Sequence, residues 1–88
     1  METFDYCVIS FASTHAAIST HKHLAARFAV ELMPTLREIS MGCGISVRFA
    51  PELLSAVRAE LEVFGLEKSV YAIYGITMDG GRCHAQPA

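Results

Sequence analysis

Charged residues are scarce in this chain, and neither sign dominates. Seven Lys and Arg stand against nine Asp and Glu, so the formal net charge is -2 at pH 7. A protein that binds a polyanion needs a field of clustered cations. The sequence therefore argues against nucleic acid as the main partner.

A long apolar run and a leader sequence are also missing. The most apolar stretch, residues 70–78, is about half the length that a membrane-spanning helix requires. Glu2 and Asp5 stand where a signal peptide would carry a basic region. We therefore expect no secretory signal and no membrane partner.

Cysteine is present in an odd number, and the spacing of the three thiols forms no disulfide framework. Free thiols are typical of a reducing compartment, so we expect a cytoplasmic protein. The first strand–helix connection, Ser13-Thr14-His15, lacks the Cys-x-x-Cys pair of heavy-metal chaperones. Seven residues follow Gly80-Gly81, which argues against a ubiquitin-like sulfur carrier that uses a terminal Gly-Gly carboxylate.

Apolar residues, in contrast, are abundant. They make up 52 % of the 88 residues, which is ample for one core in one domain. A domain of this size buries a modest fraction of its surface, so its stability margin is thin. We expect part of the apolar excess to lie at an oligomer interface.

Apolar periodicity predicts six elements in the order strand, helix, strand, strand, helix, strand. They cover residues 4–12, 14–28, 29–33, 45–49, 51–64 and 69–78. This order predicts an α+β, ferredoxin-like fold, with an antiparallel four-stranded sheet and two helices on one face. Residues 4–78 would form the domain, and residues 79–88, which lack an apolar pattern, a flexible tail.

The connection between the second and third strands, residues 34–44, is much longer than an ordinary hairpin loop. A long loop inside a small domain usually has a functional reason. Right-handed crossovers place this loop where the first strand ends and the first helix begins. We therefore expect Cys43 near Ser13, Thr14 and His15.

The residues around Cys43 favour its thiolate form. Gly42 and Gly44 can turn backbone amides toward one point, the helix N-terminus adds a positive dipole end, and Arg37 adds a full charge. A nucleophile, a persulfide carrier or a soft-metal ligand requires a thiolate. The alternative is that Cys43 is a small hydrophobic residue of the core.

The other candidate groups point to no further chemistry. His15 is either an acid–base partner of Cys43 or simply solvated. His21 and His23 face different sides of a helix and form no metal pair. Phosphate loops and paired catalytic carboxylates are absent, so we predict no cofactor, no metal and no enzyme. The chain would be at most a thiol carrier.

Three segments resemble a known family of small bacterial domains. They are Phe11-Ala12-Ser13-Thr14-His15, Met33-Pro34-Thr35-x-Arg37-Glu38-Ile39-Ser40 and Cys43-Gly44-Ile45-x-Val47-Arg48-Phe49. Their arrangement resembles the "putative Se/S carrier protein-like" domain over about residues 5–75. The resemblance implies a carrier of sulfur or selenium on the loop thiol, here Cys43, with donor and acceptor proteins as partners.

On this hypothesis Cys43 holds the atom as a persulfide. Arg37 and the amides of Gly42 and Gly44 would stabilise the thiolate. The residues that would line the site are Ser40, Ser13, Thr14 and His15. The competing hypothesis is a binding or homodimerisation module with a structural Cys43, which would use a free sheet face that carries Tyr6, Val8, Tyr71 and Ile73 or their neighbours.

Overall fold

The computed structural model describes residues 4–88 and contains five strands and two α-helices. In chain order these are β1 (Tyr6–Phe11), α1 (Thr14–Ala25), β2 (Val30–Pro34), β3 (Ile45–Phe49), α2 (Leu54–Phe64), β4 (Tyr71–Asp79) and β5 (Arg82–Pro87). Three short 3-10 turns cover Arg37–Ile39, Pro51–Leu53 and Lys68–Val70. The prediction of an α+β protein with two helices is confirmed.

The strands form one open sheet in the order β2-β3-β1-β4-β5, and every neighbouring pair is antiparallel. Strands β1 and β2 therefore run in one direction and β3 and β4 in the other, as predicted. The prediction of a four-stranded sheet is wrong because a fifth strand pairs with β4. The loop between β2 and β3 consequently lies at the end of the sheet where β1 finishes.

The fifth strand lies within residues 79–88, the segment expected to be a flexible tail. A two-residue turn joins β4 to β5, with Gly80 at φ +57° and Gly81 at φ +87°. Glycine supplies the positive φ that a tight hairpin turn of this kind needs at both positions. Half-buried Cys83 and Ala85 then alternate with exposed residues along β5, so this segment is a partly buried edge strand of the sheet.

The helices lie on one face of the sheet and enclose the larger core. The Ser13 hydroxyl caps α1 by accepting a hydrogen bond from the Ala16 amide at 3.1 Å. Gly65, at φ +80°, ends α2 in the left-handed conformation. The fully buried members of this core with the largest side chains are Phe11, Ile9, Leu24, Leu61, Val47 and Val57.

The opposite face is neither bare nor lined as expected. Tyr6 and Val8 do lie on it, but Tyr71 and Ile73 pack with the helix-side core. The register explains this difference, because Tyr71 and Ile73 are paired with Phe11 and Ile9, and paired residues share a face. The helix-free face carries a second, smaller core of Val8, Ile39 and Ile76, bordered by Tyr6, Met33, Leu36, Tyr74, Cys83 and Ala85.

A buried carboxylate joins the two helices. Glu60 on α2 accepts hydrogen bonds from His23 and Arg27, each at 2.9 Å, through its two different oxygens. The His23 ring also stacks on Phe64, with ring centroids 4.3 Å apart. Partners on both oxygens offset the cost of burying a charge, so the cluster fixes how α1 meets α2.

Neither helix has the length and apolar character that crossing a bilayer would take, over residues 4–88.

Candidate functional site

The loop between β2 and β3 is closed at its neck by two hydrogen bonds. The Thr35 amide donates to the Gly44 carbonyl at 3.0 Å. The hydroxyls of Thr35 and Ser46 lie 2.8 Å apart. Both ends of the loop are thus held by the β2–β3 pair, and the residues between them project past the end of the sheet.

The middle of this loop turns onto the helix-free face. Ile39 ends the 3-10 turn and is 4 % exposed, packed with Val8 and Ile76. The buried Ser10 hydroxyl donates to the Ile39 carbonyl at 2.5 Å. Because Ser10 belongs to β1, this bond joins the loop directly to a central strand of the sheet.

After Ile39 the chain turns back toward the start of α1. Gly42 has φ +116°, a conformation that side chains disfavour, and its amide donates to the Ser40 hydroxyl at 3.3 Å. A Cβ added at Gly42 would lie 3.6 Å from the Ala12 carbonyl oxygen. Gly44 shows no positive φ and has open space for a Cβ. The backbone argument for glycine therefore applies to Gly42 and not to Gly44.

Cys43 ends this turn with its side chain in the helix-side core, where the residue is 3 % exposed. Its Sγ lies 3.6 Å from the Thr14 Oγ1 and accepts a hydrogen bond from the Ile45 amide at 3.3 Å. The Ile45 carbonyl oxygen lies 3.4 Å from the same sulfur. An amide and a hydroxyl are thus available to a thiolate, and a carbonyl can accept the S–H of a thiol.

The predicted site residues divide into two groups. Thr14, the first residue of α1, contacts the sulfur of Cys43. Ser13 precedes Thr14 in the chain, but the Ser13 hydroxyl is occupied in capping the helix. The dipole end of α1 therefore lies close to the thiol, where it favours negative charge.

Other predicted residues lie on the loop surface or beside it. Arg37 and His15 are exposed, and no hydrogen bond or ion pair joins the Arg37 side chain to another of the described residues. The His15 carbonyl accepts a hydrogen bond from Ser19 within α1. Ser40 contacts the Gly42 amide and not the sulfur. The structure thus supplies no contact between Arg37 and the thiol.

Sequence reasoning missed two contributors to the site. They are the Ile45 amide, which contacts the sulfur, and the Ile39 side chain, which fixes the loop on the helix-free face. Ile45 was predicted only as the first residue of a strand. Its position two residues after Cys43 is the one signal that could have identified a sulfur contact through the main chain. Ile39 lies in a segment with no apolar period, so no pattern predicted its burial on the far face.

The other two thiols lie in different surroundings. Cys7 is fully buried in β1, and its burial raises the pKa of the thiol above its ordinary value of 9.0. Cys83 lies on β5 beside Met78, with the two sulfurs 3.2 Å apart. Met78 lies seven positions along β4 from Tyr71, at the loop end of the strand, and this corresponds to about 23 Å. Cys83 therefore lies at the end of the sheet remote from the loop.

Residues 4–88 hold no group of three or more His, Cys, Asp or Glu side chains arranged to bind a metal ion. All three cysteines are unpaired.

A protein-family model matches residues 6–72, and its description is "Putative Se/S carrier protein-like". The match begins at the start of β1 and ends just inside β4, so it includes the whole loop and both helices. Strand β5 and Cys83 lie beyond it. No curated protein and no solved structure matches the chain.

Proposed function

Because the chain belongs to the family described as "Putative Se/S carrier protein-like", we propose that it carries a sulfur or selenium atom as a persulfide or selenopersulfide on Cys43. The family description supports a carrier role. The assignment to one thiol rests on the position of that thiol in the fold.

The observation that carries the assignment is the contact of the Cys43 sulfur with the Ile45 amide and the Thr14 hydroxyl at the start of α1. Two polar hydrogens and a helix N-terminus favour the anion that transfer chemistry needs. Cys7 is fully buried in a central strand and has a raised pKa. Cys83 lies beyond the segment that the family model matches.

The proposed loading step is a transfer between thiols. The Cys43 thiolate attacks the outer sulfur of a persulfide on a donor protein. A bond forms between Cys43 Sγ and that sulfur, the donor's S–S bond breaks, and the donor's thiolate leaves with the electron pair. The outer sulfur keeps its proton, no electrons are gained or lost overall, and no cofactor is needed.

The partners in this proposal are a donor, such as a cysteine desulfurase, and an acceptor that attacks the outer sulfur in turn. We place both steps in the cytoplasm, where thiols stay reduced. Arg37 and His15, exposed on the loop and at the start of α1, would lie on the surface that these proteins meet. The chain itself would act as a carrier and not as an enzyme.

The direct test is loading by a cysteine desulfurase with cysteine as substrate, followed by mass spectrometry of the intact chain and its peptides. We expect one added sulfur, located on Cys43. Cys43→Ser should abolish the adduct, and Cys83→Ser, the matched control, should keep it. An active donor that leaves Cys43 unmodified, or that loads Cys83 instead, would contradict the assignment.

A second candidate is favoured by one observation, the 3 % exposure of Cys43. In this case the thiol is a structural core residue, and the domain binds a partner or a second copy through its helix-free face. The face would present Tyr6 and Tyr74 around the small core that Ile39 completes. Partner binding and cellular function that survive Cys43→Ala would support this candidate and exclude the carrier.

A further inference from the structure

The loop of residues 35–44 places one buried side chain on each face of the sheet. Ile39 packs on the helix-free face with Val8 and Ile76, and Cys43 packs on the helix-covered face. The two residues are only four positions apart along the chain. The loop therefore wraps the end of the sheet and is fixed on both sides of it.

We propose that residues 35–44 form a lid that carries the Cys43 thiol into the core when it closes, and that Ile39 is the latch that holds the lid shut. Cys43 becomes reactive when Ile39 leaves the small core that it forms with Val8 and Ile76. The biological meaning of the lid, protection of a carried sulfur between donor and acceptor, rests on the proposed carrier function.

The thiol is buried while the lid is closed. Cys43 is 3 % exposed and packs among the residues of the helix-side core, which leaves little room for another sulfur to approach its Sγ. A persulfide would add a further sulfur atom to a site that is already packed. Loading and unloading therefore require the loop around Cys43 to move.

The lid has few attachments, so it can open without unfolding the domain. Within residues 36–44, only Ile39 and Cys43 are buried. Besides the bonds at its neck and at the Cys43 sulfur, the bond from the Ser10 hydroxyl to the Ile39 carbonyl links it to the sheet. Segments with few buried contacts open at a lower free energy than the core strands and helices.

The test measures how fast iodoacetamide alkylates each of the three cysteines in the same chain, by peptide mass spectrometry. Cys83 is partly exposed and serves as the reference. Cys7 is fully buried in β1 and reports global unfolding. The ratio of the Cys43 rate to the Cys7 rate therefore separates local opening from unfolding.

Ile39→Ala removes most of the latch side chain. We expect Cys43 alkylation, relative to Cys83, to rise about tenfold or more, with little change at Cys7. Ser10→Ala, which removes only the hydroxyl that reaches the Ile39 carbonyl, should raise the Cys43 rate in the same direction and serves if Ile39→Ala folds poorly.

Val57→Ala is the matched control, because Val57 is equally buried but lies near the start of α2 in the helix-side core. It should raise the Cys7 rate at least as much as the Cys43 rate. If Ile39→Ala and Ser10→Ala both leave the Cys43 to Cys7 ratio unchanged, or if Val57→Ala raises that ratio equally, there is no lid.

The same variants separate the lid from the carrier function. Alkylation needs no desulfurase, so the lid is confirmed or rejected without any sulfur transfer. A desulfurase that fails to load Ile39→Ala, in which alkylation shows the thiol to be open, would reject the carrier function and leave the lid in place.

Discussion

Two polar groups contact the Cys43 sulfur, and one of them belongs to the main chain and the other to a side chain. The Ile45 amide is fixed by β3, but the Thr14 hydroxyl can be removed by substitution. Thr14 is exposed, so its replacement leaves the core intact. The contribution of one donor can therefore be measured by itself.

The effect is measured in the Ile39→Ala chain, in which the latch no longer limits access to the thiol. There we expect Thr14→Val to slow alkylation of Cys43 by iodoacetamide at pH 7 about threefold to tenfold, because a hydrogen bond to an anion is lost. Thr14→Ser keeps the hydroxyl and should keep most of the rate. His15→Ala, a change at the next exposed position, is the control and should have little effect. Equal rates in Ile39→Ala with and without Thr14→Val would show that the hydroxyl does not assist the thiolate.

Cys7 gives the chain a predictable response to alkaline pH. Its burial raises the pKa of the thiol above 9.0 in the folded state, so the folded state holds the proton more tightly than the unfolded state does. The resulting stability is fully present below the unfolded pKa and is lost as pH rises through the folded pKa. The urea concentration at the unfolding midpoint of the native chain should therefore decrease when the pH is raised from 8 to values above 9.0.

Cys7→Ala should show a smaller fall over the same pH range, measured by urea unfolding. Burial also raises the pKa of Tyr6, with a further contribution from Cys83, so a residual fall toward higher pH remains in the variant. Identical pH profiles for Cys7→Ala and the native chain would contradict this account of the buried thiol.

At the scale of elements, the helices and first four strands were the part of the fold most accessible to sequence reasoning. Apolar periodicity predicted a strand over residues 45–49 and a helix that begins at residue 14, and β3 and α1 match both. Helix α1 ends at Ala25, earlier than the predicted residue 28. The Arg27 and Phe28 amides both donate to the Leu24 carbonyl there. The helix therefore closes with one shared carbonyl and does not continue to residue 28.

Strand β5 was missed because its pattern is weak, although its turn was visible. Only Cys83 and Ala85 are half-buried in β5, which is too little apolar alternation to predict a strand. Asp79-Gly80-Gly81 is nevertheless a hairpin signal. The turn chemistry was a better guide here than apolar periodicity.

The contact between α1 and α2 depends on Glu60. We expect Glu60→Ala to lower the free energy of unfolding by about 1–3 kcal/mol, because it leaves His23 without its carboxylate partner and opens a gap between the helices. Arg27 is largely exposed, so solvent screening makes its share small. Glu62→Ala, at an exposed position of the same helix, should change stability by less than about 0.5 kcal/mol.

Urea unfolding of both variants is the measurement. If Glu60→Ala and Glu62→Ala lost equally little stability, the buried carboxylate would not hold the helices together.

At the scale of the whole molecule, the direction of the strands could be predicted and the path of the loop could not. Element order and crossover handedness placed Cys43 beside Thr14, which the structure shows. They say nothing about which face a loop covers, and residues 34–44 carry no period that would place Ile39. The ferredoxin-like topology stays a prediction.

Strand β5 also protects the sheet. It pairs with β4 from Tyr74 to Asp79, and its Cys83 and Ala85 border the small core. Deletion of residues 80–88 would leave the outer edge of β4 unpaired, and an unpaired edge invites association with other chains. We expect the shortened chain to have a lower urea midpoint and to elute earlier on size exclusion as its concentration rises.

His84→Ala, a change at an exposed position of β5 that keeps the strand, is the control and should elute like the native chain. A shortened chain that matches the native chain in midpoint and elution volume would mean that β5 contributes nothing to stability or to edge protection.

A thiol held under a loop reacts no faster than the loop moves. At low donor concentration, the loading rate should rise with the donor concentration and with the fraction of molecules whose loop is open. At high donor concentration, it should level off at the opening rate itself, and this ceiling should be the same for every donor. Ile39 would then set the speed of sulfur delivery from a position on the face of the sheet opposite to the sulfur.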